Sequence, residues 1–172
     1  IVNLTPAQME QYLEARRQQG FNAVYVNLIE HAFSNQRPKW RHVSGADPFS
    51  RTLPNGLLDL TAPNETYWQL ADRFLQLANQ KNMLVFAFPA YVGFAHGEDG
   101  WSREMLANGE AGCQAYGAFL GNRYRNQPNL VWVAGGDWGP VEGTSNVSLV
   151  VGAIKAGIRA NDRQHLWTGH SF

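Results

Sequence analysis

The stretch Asn129-Leu130-Val131-Trp132-Val133-Ala134-Gly135-Gly136-Asp137 decides how this chain is read. Its apolar run has the length of a buried strand, and the glycines that follow free the backbone to turn sharply. A carboxylate stands immediately after them. In α/β enzymes the groups that do chemistry sit beyond the carboxyl ends of the strands. Asp137 is therefore a catalytic candidate if the flanking segments are also βα units. Otherwise it is a helix cap or a loop ion-pair partner.

Working outward, Thr5-Pro6-Ala7-Gln8 is a helix start, with a Thr cap, Pro at the first helical position and Gln three residues after the cap. Met9, Tyr12 and Leu13 form its apolar stripe, and Gly20 is placed to end it. Ala23 to Leu28 reads as a strand, followed by an irregular stretch over residues 30–62. Asn64 caps a second helix whose apolar face carries Tyr67, Ala71, Phe74, Leu75 and Ala78. Met83 to Phe88 is the second strand. A polar, glycine-rich loop is expected to Asn108, then a helix from Glu110 to Asn126 before the Asn129 strand. Val147, Val150, Val151, Ile154 and Ile158 fall at helical spacing, and Leu166 to His170 reads as a fourth strand.

Strict α-β alternation means a parallel sheet with helical crossovers. The connections after strands are long and those after helices are short, as in a (β/α)8 TIM barrel, whose βα loops build the site. A doubly wound sheet is the competing architecture, but no G-x-G-x-x-G or P-loop sequence is present. A whole barrel takes about 250 residues. Residues 1–172 are thus expected to form a single incomplete barrel domain, about half of one, from the first barrel helix to the fifth strand. The rest of the barrel is its expected partner. The chain starts without Met and stops just after a strand, which fits truncation at both ends.

The 14 basic and 14 acidic residues cancel and form no basic run, which argues against nucleic acid as a partner. No apolar stretch approaches the ~18 residues of a membrane span, and no signal peptide is present in this segment. The lone Cys113 reads as a small buried helix residue. The Asn-x-Ser/Thr sequons at Asn3, Asn64 and Asn146 read as caps or chance matches.

The strand ends and their loops hold Asn27, Glu30, His31, Tyr91, His96, Glu98, Asp99, Trp101, Asp137, Trp138 and His170. Glycoside hydrolysis uses two carboxylates, one of which protonates the leaving oxygen. Asp137 is the first candidate. Glu30 reads better as a structural or substrate-orienting acid, and Glu98 and Asp99 as solvated. The loop aromatics Trp40, Phe49, Tyr91, Phe94, Trp101 and Trp138 suit the apolar faces of sugar rings. Asn27, Asn35, Arg37 and Arg41 offer polar partners for hydroxyls. Trp132 reads as core. A metal-dependent hydrolase using His31, His96, Asp137 and His170 is an alternative, although no H-x-H or H-E-x-x-H spacing occurs. A non-catalytic sugar-binding domain using the same rim is another. No cofactor is indicated.

The stretches GFNAVYVNLIEH, PNETYWQLADRFLQLANQKNMLVFAFPAYVG, YGAFLGNRYRNQPNLVWVAGGD and LWTGH together resemble the apiosidase-like, DUF4038-type glycoside hydrolases, grouped with glycoside hydrolase family 140. The resemblance runs in order along nearly the whole chain. It implies a (β/α)8 fold and a secreted or periplasmic bacterial enzyme acting on plant cell-wall polysaccharide side chains. It makes Asp137 the general acid/base and puts the nucleophilic or base Glu after a later strand, beyond the end of this chain. The residues expected to bind substrate are Asn27, Glu30, His31, Tyr91, His96, Trp101, Trp138 and His170.

Overall fold

A computed structural model describes residues 1–94, 97–137 and 145–170. Four helices and four strands alternate: α1 (Pro6–Gln18), β1 (Ala23–Asn27), α2 (Glu65–Gln80), β2 (Leu84–Phe88), α3 (Ser102–Tyr124), β3 (Leu130–Gly135), α4 (Ser145–Asn161) and β4 (Trp167–His170). The strands form one sheet in the order β1-β2-β3-β4, every pair parallel. A doubly wound sheet reverses its strand order at a switch point. This one adds each strand beside the last, as a barrel wall does.

The helix ends follow from local chemistry. Thr5 and Gln8 form a reciprocal capping box, the Gln8 N–H reaching the Thr5 hydroxyl and the Thr5 N–H reaching Gln8 Oε1 at 2.9 Å. The Asn64 side chain accepts from the Thr66 N–H at 3.2 Å. Each satisfies an otherwise unpaired donor of a first helical turn.

The two faces of the sheet differ. Val24, Val26, Val85, Ala87, Leu130 and Trp132 are buried in the core. Between them along β1, Tyr25 is 63% exposed and stacks on Phe86 of β2 at 4.8 Å. Side chains alternate faces along a strand, so at β1 and β2 the second face is partly open and aromatic, while on β3 Val131 and Val133 are buried on that face as well. Trp132 takes the core position expected, fully buried, with its Nε1–H donating to Asp162 at 2.8 Å.

One boundary differs from the sequence reading. Helix α3 begins at Ser102, not Glu110. Gly109 stands inside it at φ 63°, a kink joining a short first helix to the longer second. In the sequence the pair Asn108-Gly109 reads as the end of a loop. In the structure the Asn108 side chain holds the break together by donating to Leu58 O and Glu104 O. No helix among the described residues is long and apolar enough to cross a membrane.

Two tyrosines fix the carboxyl ends of the strands. The Tyr67 hydroxyl of α2 donates to Leu28 O at 2.8 Å, just past β1, and the Tyr116 hydroxyl of α3 donates to Pro89 O at 2.7 Å, just past β2. Both rings are buried. The loops that carry the candidate residues therefore leave from anchored points.

Candidate active site

β3 runs out through Gly135, Gly136 and Asp137, all at positive φ (80°, 108° and 46°). Asp tolerates the left-handed region better than most residues with a Cβ. Gly136 is required on steric grounds as well. A Cβ there would lie 2.5 Å from Tyr91 Cδ2. The missing side chain lets the Tyr91 ring lie on the turn, where its hydroxyl donates to Asp137 Oδ2 at 2.8 Å. Burial, that hydrogen bond and the neighbouring charges of Asp137 and Asp99 hold the Tyr91 pKa above its ordinary value. The phenol therefore stays a donor.

His170, at the end of β4, meets the same carboxylate. The Asp137 backbone N–H donates to His170 Nδ1 at 3.2 Å, while Asp137 Oδ1 lies 3.3 Å from that nitrogen. One nitrogen cannot accept from the first and donate to the second in a single tautomer. With the ring proton on Nε2 the ring accepts from the Asp137 backbone, and with it on Nδ1 the ring donates to Oδ1. Asp137 keeps 39% of its side chain exposed and His170 49%. The structure thus brings Asp137, Tyr91 and His170 together on the rim.

The residues after β1 do not join that cluster directly. Glu30 Oε1 accepts from the His31 N–H at 2.8 Å, and Glu30 Oε2 lies 3.4 Å from Asn27 Nδ2. Both residues organise their own turn. His31 instead reaches across to α3, its Nε2 3.2 Å from Glu104 Oε1. Burial, the largest single influence, lowers the His31 pKa, but the Glu104 hydrogen bond and charge, the Glu98 backbone and the Glu30 charge together outweigh it, and the net direction is upward. Glu104, in the first turn of α3, is 3% exposed. A carboxylate there is favoured by the positive end of the helix.

Three sequence expectations change. Trp101 has no exposed surface and packs against Phe49, His31 and Trp40. It braces the wall and presents no face to a ligand. Arg41 spends its fork on Asp47, two bonds of 2.8 Å, so it is no free hydroxyl partner. Asp99, expected to be solvated, accepts from the Phe94 N–H at 3.4 Å and ties its own loop. His96 and Trp138 lie outside the described residues. His31 pairs with Glu104 and His170 with Asp137, and among the described residues no group of three or more His, Cys, Asp or Glu could hold a metal ion. Glu104 was missed because Gly109 hid the short helix that carries it. Trp101-Ser102-Arg103-Glu104, with an acid placed for a first turn, was the available signal.

A cleft of about 340 Å³ opens between the β1–α2 and β2–α3 loops, lined among others by His31, Trp40, Leu57, Arg103 and Glu104. The β2–α3 loop connects it to Asp137. Tyr91 stands at the near end of that loop, and the Trp101 N–H donates to Tyr91 O at 2.8 Å at its far end.

The fold recurs in solved glycoside hydrolases. A glycoside hydrolase family 5 protein from Bacteroides vulgatus is 23% identical with a TM-score of 0.69, over 98% of this chain and 33% of that one. A second glycoside hydrolase is 22% identical with a TM-score of 0.69, over 98% and 34%. Cel5A of Thermotoga maritima, solved in complex with cellobiose, is 12% identical with a TM-score of 0.56, over 94% and 44%. The chain thus spans about a third of the length of the first two. At these identities the likeness speaks to the fold, a TIM-barrel wall. A search of curated proteins finds no match. The model of the Apiosidase-like catalytic domain matches residues 1–172, and the chain belongs to that family.

Proposed function

We propose that the protein carrying this chain is a glycoside hydrolase of plant cell-wall polysaccharide side chains, with Asp137 as its general acid/base. Family membership supports the reaction class. The observation that carries the residue role is the Asp137 carboxylate at the end of β3, held through Oδ2 by Tyr91, with Oδ1 3.3 Å from His170 Nδ1 and 39% of the side chain still exposed. A proton donor must be fixed in direction yet reach the substrate oxygen. Tyr91 supplies the direction.

In the reaction, protonated Asp137 gives its proton to the glycosidic oxygen as the bond to the anomeric carbon breaks. The Tyr91 hydroxyl then stabilises the new carboxylate. Asp137 next takes a proton from the attacking water if the reaction retains configuration. The partner carboxylate is assigned to no residue of this chain. His170, half-exposed beside Asp137, is assigned to hydrogen-bond a sugar hydroxyl through Nε2. A secreted or periplasmic bacterial enzyme fits such a substrate.

The test is Asp137→Asn in the protein carrying this chain. Reducing-end release from pectic polysaccharide should fall by about 10²–10⁴, with substrate binding kept. Near wild-type release would remove Asp137 from the reaction. Calorimetric binding without release, even by the wild-type protein, would favour the non-catalytic sugar-binding alternative.

A further inference from the structure

The cleft beside His31 holds polar atoms that the proposed chemistry at Asp137 does not use. Glu104 Oε1 is paired with His31, but Glu104 Oε2 is buried with no hydrogen-bond partner. The indole Nε1 of Trp40, on the same cleft, is also buried without a partner. Buried polar atoms left unpaired are costly and uncommon. Here one lone acceptor and one lone donor belong to the lining of a single cleft. The loop geometry that places Glu104 is tightly constrained. A Cβ on Gly100 would lie 2.2 Å from Val92 backbone atoms, so the loop closes on itself only with glycine there.

The ligand chemistry follows from that pair of atoms. A cation satisfies a carboxylate oxygen but offers nothing to an indole N–H. A carboxylate or phosphate satisfies the indole and is repelled by Glu104. A hydroxyl both donates and accepts, so a ring bearing several hydroxyls serves both atoms. His31, when protonated, neutralises Glu104 in part and so weakens its pull on a cation, while Arg103 and Glu98 put one charge of each sign on the same lining. Trp40 and Leu57 provide apolar surface for the C–H face of such a ring.

We propose that this cleft is a second sugar-binding subsite, in which Glu104 Oε2 accepts from one hydroxyl of a neutral sugar unit and Trp40 Nε1–H donates to an oxygen of the same unit. The proposal rests on the glycoside hydrolase reading, since the β2–α3 loop joins this cleft to Asp137 and one substrate chain would occupy both. Glu104 and Trp40 are binding residues and take no part in proton transfer. Each of the two atoms has under 1 Å² exposed, so the cleft lining must shift as the sugar enters, and that shift registers at the Trp40 indole.

The test follows the Trp40 indole N–H resonance in the isotope-labelled protein carrying this chain, titrated separately with xylose, arabinose, galactose and rhamnose. At least one of them should shift that resonance saturably. Trp40→Phe keeps the ring and removes the donor, and should weaken that sugar's binding, read by calorimetry, about fivefold. Glu104→Gln should weaken it roughly tenfold or more, because a charged acceptor is lost. Asp137→Asn should leave this binding unchanged while removing hydrolysis, which separates failure here from failure of the Asp137 assignment. No saturable shift with any of the sugars would overturn the subsite. So would binding unaffected by both cleft variants, or a saturable shift with calcium chloride in place of sugar.

Discussion

Replacing Gly136 by alanine should disable the rim without touching any charged group. The new Cβ would stand 2.5 Å from Tyr91 Cδ2 and 3.4 Å from Phe88 Cε1. Ordinary carbon contacts lie at about 3.5–4.0 Å, so the Tyr91 ring must withdraw by about 1 Å. Its 2.8 Å bond to Asp137 then stretches to about 3.8 Å and is lost. A charge-assisted hydrogen bond is worth about 1.5–3 kcal/mol. Asp137 is 39% exposed, so solvent takes up part of the loss and the lower end applies, a fall of about tenfold in kcat/KM. Holding alanine at φ 108° adds about 1–3 kcal/mol of strain to the folded state. The assay pairs glycosidase kinetics with thermal unfolding, and Gly152→Ala is the control. Gly152 lies in α4 with nothing within 4 Å of its Cβ position, so alanine there should stabilise by about 0.5–1 kcal/mol and leave activity alone. Wild-type kinetics and melting in Gly136→Ala would refute the placement of Tyr91 on this turn.

Other perturbations test the frame around the site. Trp132→Phe removes the indole N–H that Asp162 accepts and should destabilise by about 1–3 kcal/mol in urea unfolding; no measurable loss would contradict that buried pairing. His31, partly buried, and His42, fully buried, should give opposite pH profiles. The His31 pKa is raised by Glu104, so its stabilisation is complete below the unfolded value of about 6.5 and fades as pH rises through the folded one. The His42 pKa is lowered, first by burial, and its Nδ1 accepts from the Ser44 N–H, so its contribution is complete above about pH 6.5 and fades as pH falls below it. The cost of His31→Gln should therefore be largest at acidic pH and that of His42→Gln at neutral pH. Flat profiles would remove both assignments. Arg123 of α3 forks to both Asp72 and Glu65 of α2. With Glu65 60% exposed against 28% for Asp72, Glu65→Ala should cost under about 1 kcal/mol and Asp72→Ala more. The reverse order in chemical denaturation would count against the packing of α2 on α3.

What was legible in the sequence was whatever local periodicity controls. The first three strands are short, mostly apolar runs bounded by Gly, Pro and Asn, whereas β4 is the mixed Trp-Thr-Gly-His, and the alternation of strands with helices gives a parallel sheet. Asn64 and Thr5 announced their helices because a cap acts within three residues. The Gly-Gly-Asp ending of β3 could be read because a positive-φ turn has few compatible residues. What was hidden depends on distant partners. Tyr91 meets Asp137 across 46 residues, and His31 meets Glu104 across 73. Nothing near Trp101 shows that Phe49 will cover it, and Arg41 gives no sign that Asp47 takes up its fork. Gly109 misled for the opposite reason. It does break the helix locally, but Asn108 bridges the break and the helix resumes.

The central claim is that Asp137 delivers a proton to a departing oxygen. The direct measurement compares Asp137→Asn with wild type on two aryl glycosides of the same sugar, one with a dinitrophenol leaving group and one with unsubstituted phenol. A dinitrophenolate leaves without protonation, whereas phenolate needs it. The variant should keep a rate of glycosidic bond cleavage within about tenfold of wild type on the first and lose about 10²–10⁴ on the second. Equal losses on both substrates, or none on either, would contradict the assignment.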